Sequence, residues 1–257
     1  MGETLSIELS KAALINEALV DYLRLRDESV QSIEEIATNG TQVLSAWMSA
    51  KEKLLSENKT NSCLFNPFHT IGIGETTHSA LVGNLLDPHG SHGQGRLFLE
   101  SFLTLIGIPE PSAGKWVITV EQGRIDILLR RETPCSVVII ENKSNGAIDQ
   151  KNQLYRYWHR FIHPQITGAA NSKKQFFKVV YLTPTLSKEP VGDSLSRPQE
   201  LDSTPNLPQR VPIELVCILT LERLVKNWLA DANVNISQMN SRLATFLQFY
   251  AELWETL

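Results

Sequence analysis

The chain has 257 residues, of which 42% are apolar and 20% charged, and its formal net charge is −4. This composition is ordinary for a globular protein and excludes wholesale disorder. No apolar run is long enough to span a bilayer, and the N-terminus lacks the charged-then-apolar layout of a signal peptide. Three scattered cysteines give no disulfide or zinc spacing, which is typical of a reducing compartment. We therefore expect a cytoplasmic protein without membrane attachment.

Residues 1–65 are predicted to form a helical N-terminal segment. Residues 5–58 have the apolar spacing of two or three amphipathic helices, for example through Leu19 and Leu23 and then through Leu44 and Trp47. We find no chemistry-bearing cluster here. The segment is predicted to pack on, or bind, a partner, which can be another protein or a second copy of the chain.

Asn66-Pro67 marks the predicted start of a second domain, which extends over residues 66–257. A helical stretch over 75–106 is interrupted by Asp87-Pro88 and a glycine-rich turn. Apolar runs predict strands over 116–121, 124–129, 136–141, 176–182 and 213–218. Helical spacing appears over 154–162, ended by Pro164, and over 221–229 and 236–257. Residues 184–212 contain six of the twelve prolines and predict a long surface loop.

Two acids and a lysine stand on adjacent predicted strands. Asp126 lies in the second strand, and Glu141 and Lys143 come at the end of the third. If Thr133-Pro134 forms the turn of an antiparallel hairpin, residues whose numbers sum to 267 face each other, which places Asp126 opposite Glu141. Because side chains alternate along a strand, Glu141 and Lys143 share one face and Asn142 points to the other.

This convergence indicates a divalent metal site beside a phosphodiester. Carboxylate oxygens suit Mg²⁺ or Mn²⁺, and such a metal lowers the pKa of a bound water and neutralises charge on phosphate. Asp126 and Glu141 are the candidate ligands, and Lys143 would orient the water or stabilise the transition state. An ion pair on an ordinary surface hairpin explains the same three residues equally well.

Gln153 and Tyr157 lie four residues apart on the next predicted helix, and hence on one of its faces. They are positioned to contact Lys143 or a phosphate. Alternatively, they only border the apolar stripe of that helix.

The charge is unevenly distributed. Between Lys115 and Lys178, eleven Lys and Arg stand against five acids, so that this window carries +6 and the rest of the chain −10. Local positive potential attracts phosphate backbones whatever the total charge, although some of these residues are simply solvated. The basic residues nearest the three site residues, and hence the candidate nucleic-acid contacts, are Arg124, Lys151, Arg156 and Arg160.

The stretches GRIDILL (123–129) and VVIIENKSNGAIDQKNQLYRYW (137–158) resemble the PD-(D/E)XK nuclease superfamily, within it the families whose core ends in a QxxxY helix. The stretch GETTHSALVGNLLDPHGSHGQGRLFLESFL (74–103) is similar to the N-terminal part of one uncharacterised bacterial family of that superfamily. The resemblance covers roughly residues 65–257.

The resemblance implies an α/β fold with a restriction-endonuclease-like core, in which α-β-β-β-α-β elements form a mixed central sheet with flanking helices. The helical N-terminal segment lies outside this core or at its edge. The matched motif positions are Asp126, Glu141, Lys143, Gln153 and Tyr157. Glu75 corresponds to an acid that some members contribute as an additional metal ligand. Ile125 stands where the motif name has proline, a frequent substitution in the superfamily.

We therefore expect a Mg²⁺-dependent (or Mn²⁺-dependent) nuclease that acts on nucleic acid, on DNA rather than RNA, with bacterial defence against foreign DNA as a biological context. The alternative is a nucleic-acid-binding module that keeps the fold and performs no chemistry.

Overall fold

The fold is described from a computed structural model, which describes residues 2–168, 175–185, 188–230, 236 and 240–255, without the side chains of 2–15, 18, 225 and 255. Lys173 and Lys174 of the basic window and parts of the predicted 236–257 helix lie outside these residues. The chain divides into two units, Met1–Phe65 and Asn66–Leu257. In the described part of the chain, no helix is both long and apolar enough to cross a membrane.

The first unit is one helix, α1 (Gly2–Asn61). The prediction of two or three helices over 5–58 is wrong. No proline interrupts this stretch, and Gly40, which disfavours helix by about 1 kcal/mol relative to alanine, does not break it. Many of its large apolar side chains between residues 19 and 55 are exposed.

The second unit contains a mixed sheet with helices before, between and after its strands. The helices before the sheet are α2 (Pro67–Ile71), α3 (Glu75–Leu86) and α4 (Leu97–Leu105). The strands are β1 (Trp116–Gln122), β2 (Ile125–Arg131), β3 (Ser136–Asn142), β4 (Phe176–Thr183) and β5 (Val216–Thr220). The later helices are α5 (Gln153–Phe161), α6 (His163–Gly168), α7 (Leu221–Arg223), which continues as π-helical turns over Leu224–Leu229, and α8 (Ser241–Glu255).

The described strands are ordered β1-β2-β3-β4-β5 in the sheet. The first three pair antiparallel, whereas β3, β4 and β5 run parallel, with α5 and α6 on the connection from β3 to β4. The predicted α/β class, the α-β-β-β-α-β order and the mixed sheet with flanking helices are therefore confirmed.

Two apolar clusters cover the two faces of the sheet. On one face, α3, α4, the π-helical turns and α8 bury residues such as Phe102 and Trp228. On the other face, α5 buries Leu154 and Trp158. Because residues on the two faces alternate along β2 and β3, side chains at the ends of these strands are directed toward α3 or toward α5.

Several predicted boundaries need correction. The strand predicted over 213–218 begins at Val216, because Ile213–Leu215 forms a 3₁₀ turn after Pro212. The helix before Pro164 already ends at Phe161, and Pro164 is the second residue of α6, where a helix requires no backbone N–H. The helix predicted over 236–257 begins at Ser241, and its last two residues lie outside the described part of the chain.

The proline-rich stretch 184–212 is more than a surface loop. Its residues Leu195, Leu207 and Val211 are buried in the cluster beside α5. Asn152, at the start of α5, donates from Nδ2 to the Ser196 carbonyl at 2.7 Å. The stretch therefore covers the apolar face of α5, which the adjacent sheet does not cover completely.

Candidate active site

Two acidic side chains come together where β2 and β3 separate. The ladder between these strands follows the predicted register as far as Ile127 and Ile140 and stops there. Asp126 precedes the last pair by one residue, and Glu141 follows it by one. Burial raises the pKa of Glu141, and the negative charge of nearby Asp126 raises it further.

Asp126 is oriented by the backbone of β3. The Asn142 N–H donates to Asp126 Oδ2 at 2.6 Å. Burial raises the pKa of Asp126 to about 6, an effect that this hydrogen bond opposes and that the charge of exposed Glu121 strengthens. The carboxylate is thus held in place in surroundings that favour an added positive charge.

Glu141 and Lys143 form a buried ion pair. Lys143 Nζ lies 2.8 Å from Glu141 Oε1, and the two side chains are 7% and 2% exposed. Burial and the nearby Asp126 raise the pKa of Glu141 to about 7, and Lys143 offsets only part of this increase. Burial alone would lower the pKa of Lys143, but Glu141 reverses the shift, so that the amine is a firmly held cation.

One oxygen of this ion pair has no partner. Glu141 Oε2 is buried and accepts no hydrogen bond. A buried acceptor without a partner costs about 1–3 kcal/mol, which is unusual in a folded protein. Together with the raised pKa of both carboxyls, this oxygen fits a site that takes up a cation.

Gln153 and Tyr157 connect α5 to both strands. Gln153 Nε2 lies 2.8 Å from Glu141 Oε1 and 3.0 Å from the Tyr157 hydroxyl. The Tyr157 hydroxyl in turn donates to the carbonyl of Arg124, whose φ of 69° lies in the left-handed region of the β1–β2 turn. Burial raises the pKa of Tyr157 to about 12, so that its hydroxyl remains a donor. The two residues are therefore linked to the acidic pair and not only to the apolar stripe.

Glu75 is not gathered with the other two acids as predicted. Its Oε1 accepts from the Asn145 N–H at 3.2 Å and the Ala147 N–H at 3.3 Å, because the loop after β3 passes over the start of α3. Among the described residues, no three His, Cys, Asp or Glu side chains are arranged to hold a metal ion. Glu75 instead fastens the loop that follows Lys143, and its charge still reaches Asp126.

The donor set fits a hard divalent cation. Asp126 and Glu141 present carboxylate oxygens, one of them without a partner, and Mg²⁺ or Mn²⁺ is commonly held by one or two carboxylates with water and phosphate completing the shell. Such an ion would remove the repulsion that raises the pKa of Glu141.

Asn142 is a site residue that the sequence did not reveal. It was predicted only to lie on the face of β3 opposite to Glu141 and Lys143. Its side-chain Nδ2 donates to the Glu75 carbonyl and to Ser79 Oγ, both at 3.0 Å, and its Oδ1 accepts from the Ser144 N–H at 3.1 Å. Asn142 thereby ties the end of β3 to α3 while its N–H holds Asp126. A polar residue at the end of an otherwise apolar strand was the signal that could have revealed it.

His78 contacts Asn142 from α3. Its Nδ1 lies 3.2 Å from Asn142 Oδ1, and its ring packs against Trp254 at 4.6 Å between centroids. Burial lowers the pKa of His78 to about 4, although the Asn142 contact opposes the shift. The neutral ring therefore carries its proton on Nδ1 to make this contact.

Asp149 was also missed. Its Oδ1 accepts from the Tyr181 hydroxyl at 2.9 Å, and its Oδ2 accepts from the Val191 N–H at 2.8 Å. Its charge contributes to the raised pKa of both Glu141 and Lys143. Nothing in the local pattern of residues 144–152 distinguishes this acid, because its partners come from distant β4 and the proline-rich stretch.

The four predicted basic contacts are all exposed: Arg124, Lys151, Arg156 and Arg160. Arg156 Nη2 lies 3.6 Å from exposed Glu200 and its Nη1 donates to the Lys151 carbonyl at 3.5 Å, while Arg160 lies over the Phe161 ring. Arg131, another member of the basic window, is buried and bound to backbone carbonyls, so that it is unavailable to a ligand.

A family model described as the PD-(D/E)XK nuclease superfamily matches residues 65–252. This span includes the sheet and each of the site residues described above. No curated protein and no solved structure matches the chain.

Proposed function

The chain belongs to the PD-(D/E)XK nuclease superfamily, and from this premise we propose that it is a metal-dependent nuclease that hydrolyses phosphodiester bonds of DNA. The observation that carries the proposal is the group of half-buried Asp126 with buried Glu141 and Lys143, in which Glu141 Oε2 has no partner and both carboxyls have raised pKa values. A site arranged only for stability would pair these groups fully.

Asp126 and Glu141 are the proposed ligands of Mg²⁺ or Mn²⁺. When bound, such an ion supplies a Lewis acid that lowers the pKa of a water molecule and neutralises charge on the scissile phosphate. The backbone N–H of Asn142 donates to Asp126 Oδ2 and would keep this carboxylate oriented for the cation.

Lys143 is proposed to act on the reacting phosphate. Its ammonium now donates to Glu141 Oε1 at 2.8 Å. With a cation bound beside Glu141, Lys143 would donate to the attacking water or to a non-bridging phosphate oxygen, where negative charge develops in the transition state. Its buried position strengthens this interaction, because little solvent competes for the ammonium.

Gln153 and Tyr157 are proposed positioning residues. Gln153 holds Glu141 Oε1, and Tyr157 fixes the Arg124 carbonyl at the β1–β2 turn beside the acidic pair. The proposed contacts to substrate phosphates are four exposed cations that lie near the site residues in the sequence: Arg124, Lys151, Arg156 and Arg160.

The proposal is tested by incubating the full chain with supercoiled plasmid, linear duplex, single-stranded DNA and RNA, in Mg²⁺ or in EDTA. We expect Mg²⁺-dependent DNA cleavage that Glu141→Gln and Lys143→Ala abolish, while the exposed controls Glu132→Gln and Lys115→Ala retain it. Cleavage that survives Lys143→Ala would refute the assignment. Salt-dependent DNA binding without cleavage by the wild type would instead support the catalytically silent module.

A further inference from the structure

Helix α1 carries an apolar seam along its length. The seam residues Leu19, Tyr22, Ile33, Ile36, Val43 and Trp47 are between 52% and 70% exposed. Their spacing follows a heptad with two apolar positions, three and four residues apart, interrupted at Arg26, Ser29 and Gly40. The first unit consists of one helix, so that no other element of that unit covers them.

A single helix of this kind is not expected to be stable alone in water. Most of the stability of protein helices comes from packing an apolar face, and exposed apolar patches mark interaction surfaces. From these observations we infer that α1 is a self-association element, which pairs antiparallel with α1 of a second copy of this chain.

The length of the helix is sufficient for such a pair. Sixty residues at 1.5 Å per residue give a rod of about 90 Å, and a contact strip about 10 Å wide buries on the order of 900 Å² on each copy. Specific protein interfaces bury about 1,200–2,000 Å² in total, so that two such helices meet this requirement when they overlap over about two thirds of their length or more.

The charges of the helix favour the antiparallel arrangement. Over residues 16–38, six acids stand against two arginines, which gives −4. Over residues 39–61, three lysines stand against two acids, which gives +1. A parallel pair places the two acidic halves side by side, whereas an antiparallel pair places each acidic half beside the weakly basic half of the other copy. Like charges in register disfavour the parallel form, and helix pairs use such patterns to set orientation.

Self-association is tested by sedimentation of the full chain over a wide concentration range. We expect a dimer at micromolar concentration. Ile33→Glu/Ile36→Glu should raise the dimer dissociation constant by about 100-fold or more, because it buries ionised carboxylates in the seam. The matched control Gln31→Glu/Thr38→Glu adds the same charge to the opposite face of the same turns and should leave the dimer intact.

Orientation is tested through Cys63, an exposed free thiol just after α1. In a Cys135→Ser/Cys217→Ala background, donor labels on Cys63 are mixed with chains that carry acceptors at Asn16→Cys in place of Cys63. Antiparallel pairing predicts strong energy transfer in this mixture, and little between two Cys63 labels, which lie about 90 Å apart.

A monomeric wild type at all concentrations would overturn the inference, because the seam would then be covered by the chain's own second unit or by a different protein. Equal dissociation constants for the seam and control variants would overturn it as well. Strong transfer between Cys63 labels would reject the antiparallel arrangement. None of these readouts depends on nuclease activity, so that this inference and the proposed function fail independently.

Discussion

Both ends of the β2–β3 hairpin bury charged side chains, but these charges are paired to different extents at the two ends. At the turn end, Arg131 is 3% exposed and donates to the carbonyls of Glu110 at 2.7 Å and Ala113 at 3.0 Å and to Ser136 Oγ at 3.0 Å. Its guanidinium also lies 4.6 Å from the centre of the Trp116 ring. Each of these contacts stabilises the charge in the folded protein.

At the open end, Lys143 is paired with Glu141, but the pairing of Glu141 is incomplete. Glu141 Oε2 has no partner, and both carboxyls have raised pKa values. A cavity of 880 Å³ opens at the turn end, yet Glu132 is the one acid among its described lining residues. The difference between the two ends indicates that incomplete pairing of buried charge, and not cavity size, distinguishes the end at which we propose the active site.

The largest effects should come from replacing the buried basic residue at each end of the hairpin by methionine. Lys143→Met should reduce the cleavage rate by about 10²–10³-fold, as expected for loss of one charged group that stabilises the transition state. Arg131→Met should leave the rate per folded molecule unchanged and lower the free energy of unfolding by about 2–4 kcal/mol, since it leaves buried carbonyls without a donor. Cleavage assays and urea unfolding of both variants provide the measurement. If Lys143→Met and Arg131→Met lost the same activity per folded molecule, the two ends of the hairpin would not differ in function.

A second prediction concerns pH. A carboxyl whose pKa is higher in the folded than in the unfolded protein stabilises the fold below its unfolded pKa and loses that contribution as the pH rises through its folded pKa. For Glu141, with a pKa near 7, this decline spans from about pH 4.5 to above pH 7. Glu141→Gln should therefore be more stable than the wild type at pH 8 without metal, by about 3 kcal/mol, and similar to it at pH 4. A wild type that gains stability over this range relative to Glu141→Gln would contradict the raised pKa.

Asn142→Ala should weaken metal binding, because it removes the hydrogen bonds that connect the end of β3 to α3. Without the contacts to α3, the Asn142 N–H no longer holds Asp126 firmly, and the Mg²⁺ concentration for half-maximal activity should rise about tenfold. The control is Asn66→Ala, which also removes a buried asparagine, one that donates to the Phe249 carbonyl at 2.7 Å. Both variants should lose stability, but only Asn142→Ala should change the Mg²⁺ requirement.

The smallest effect is expected for Tyr157→Phe. Loss of one hydroxyl that donates to the Arg124 carbonyl should slow cleavage by about 3–10-fold. Tyr155→Phe on the same helix removes a comparable hydrogen bond, to the Pro208 carbonyl at 2.7 Å, and should leave the rate within about twofold. Equal rates for the two variants would show that Tyr157 serves only the packing of α5.

The sequence predicted those features that follow from local periodicity. The hairpin register could be derived because Thr133-Pro134 sets its turn and the apolar alternation sets its faces. The roles of Asn142, His78 and Asp149 could not be derived, because each depends on a partner more than thirty residues away. The same applies to Glu75, whose carboxylate is engaged by the loop after β3.

The prediction for residues 5–58 was wrong for a different reason. Helical periodicity reports an apolar face but not where one helix ends, and no proline or capping pattern divides α1.

The central claim is that Asp126 and Glu141 hold a divalent cation, and calorimetric titration of Mn²⁺ into the wild type and Glu141→Gln at neutral pH tests it most directly. The wild type should bind Mn²⁺ and release protons, because carboxyls with raised pKa values must ionise to become ligands. Glu141→Gln should bind at least about tenfold more weakly. Equal Mn²⁺ affinity in the two proteins, without proton release, would contradict the claim.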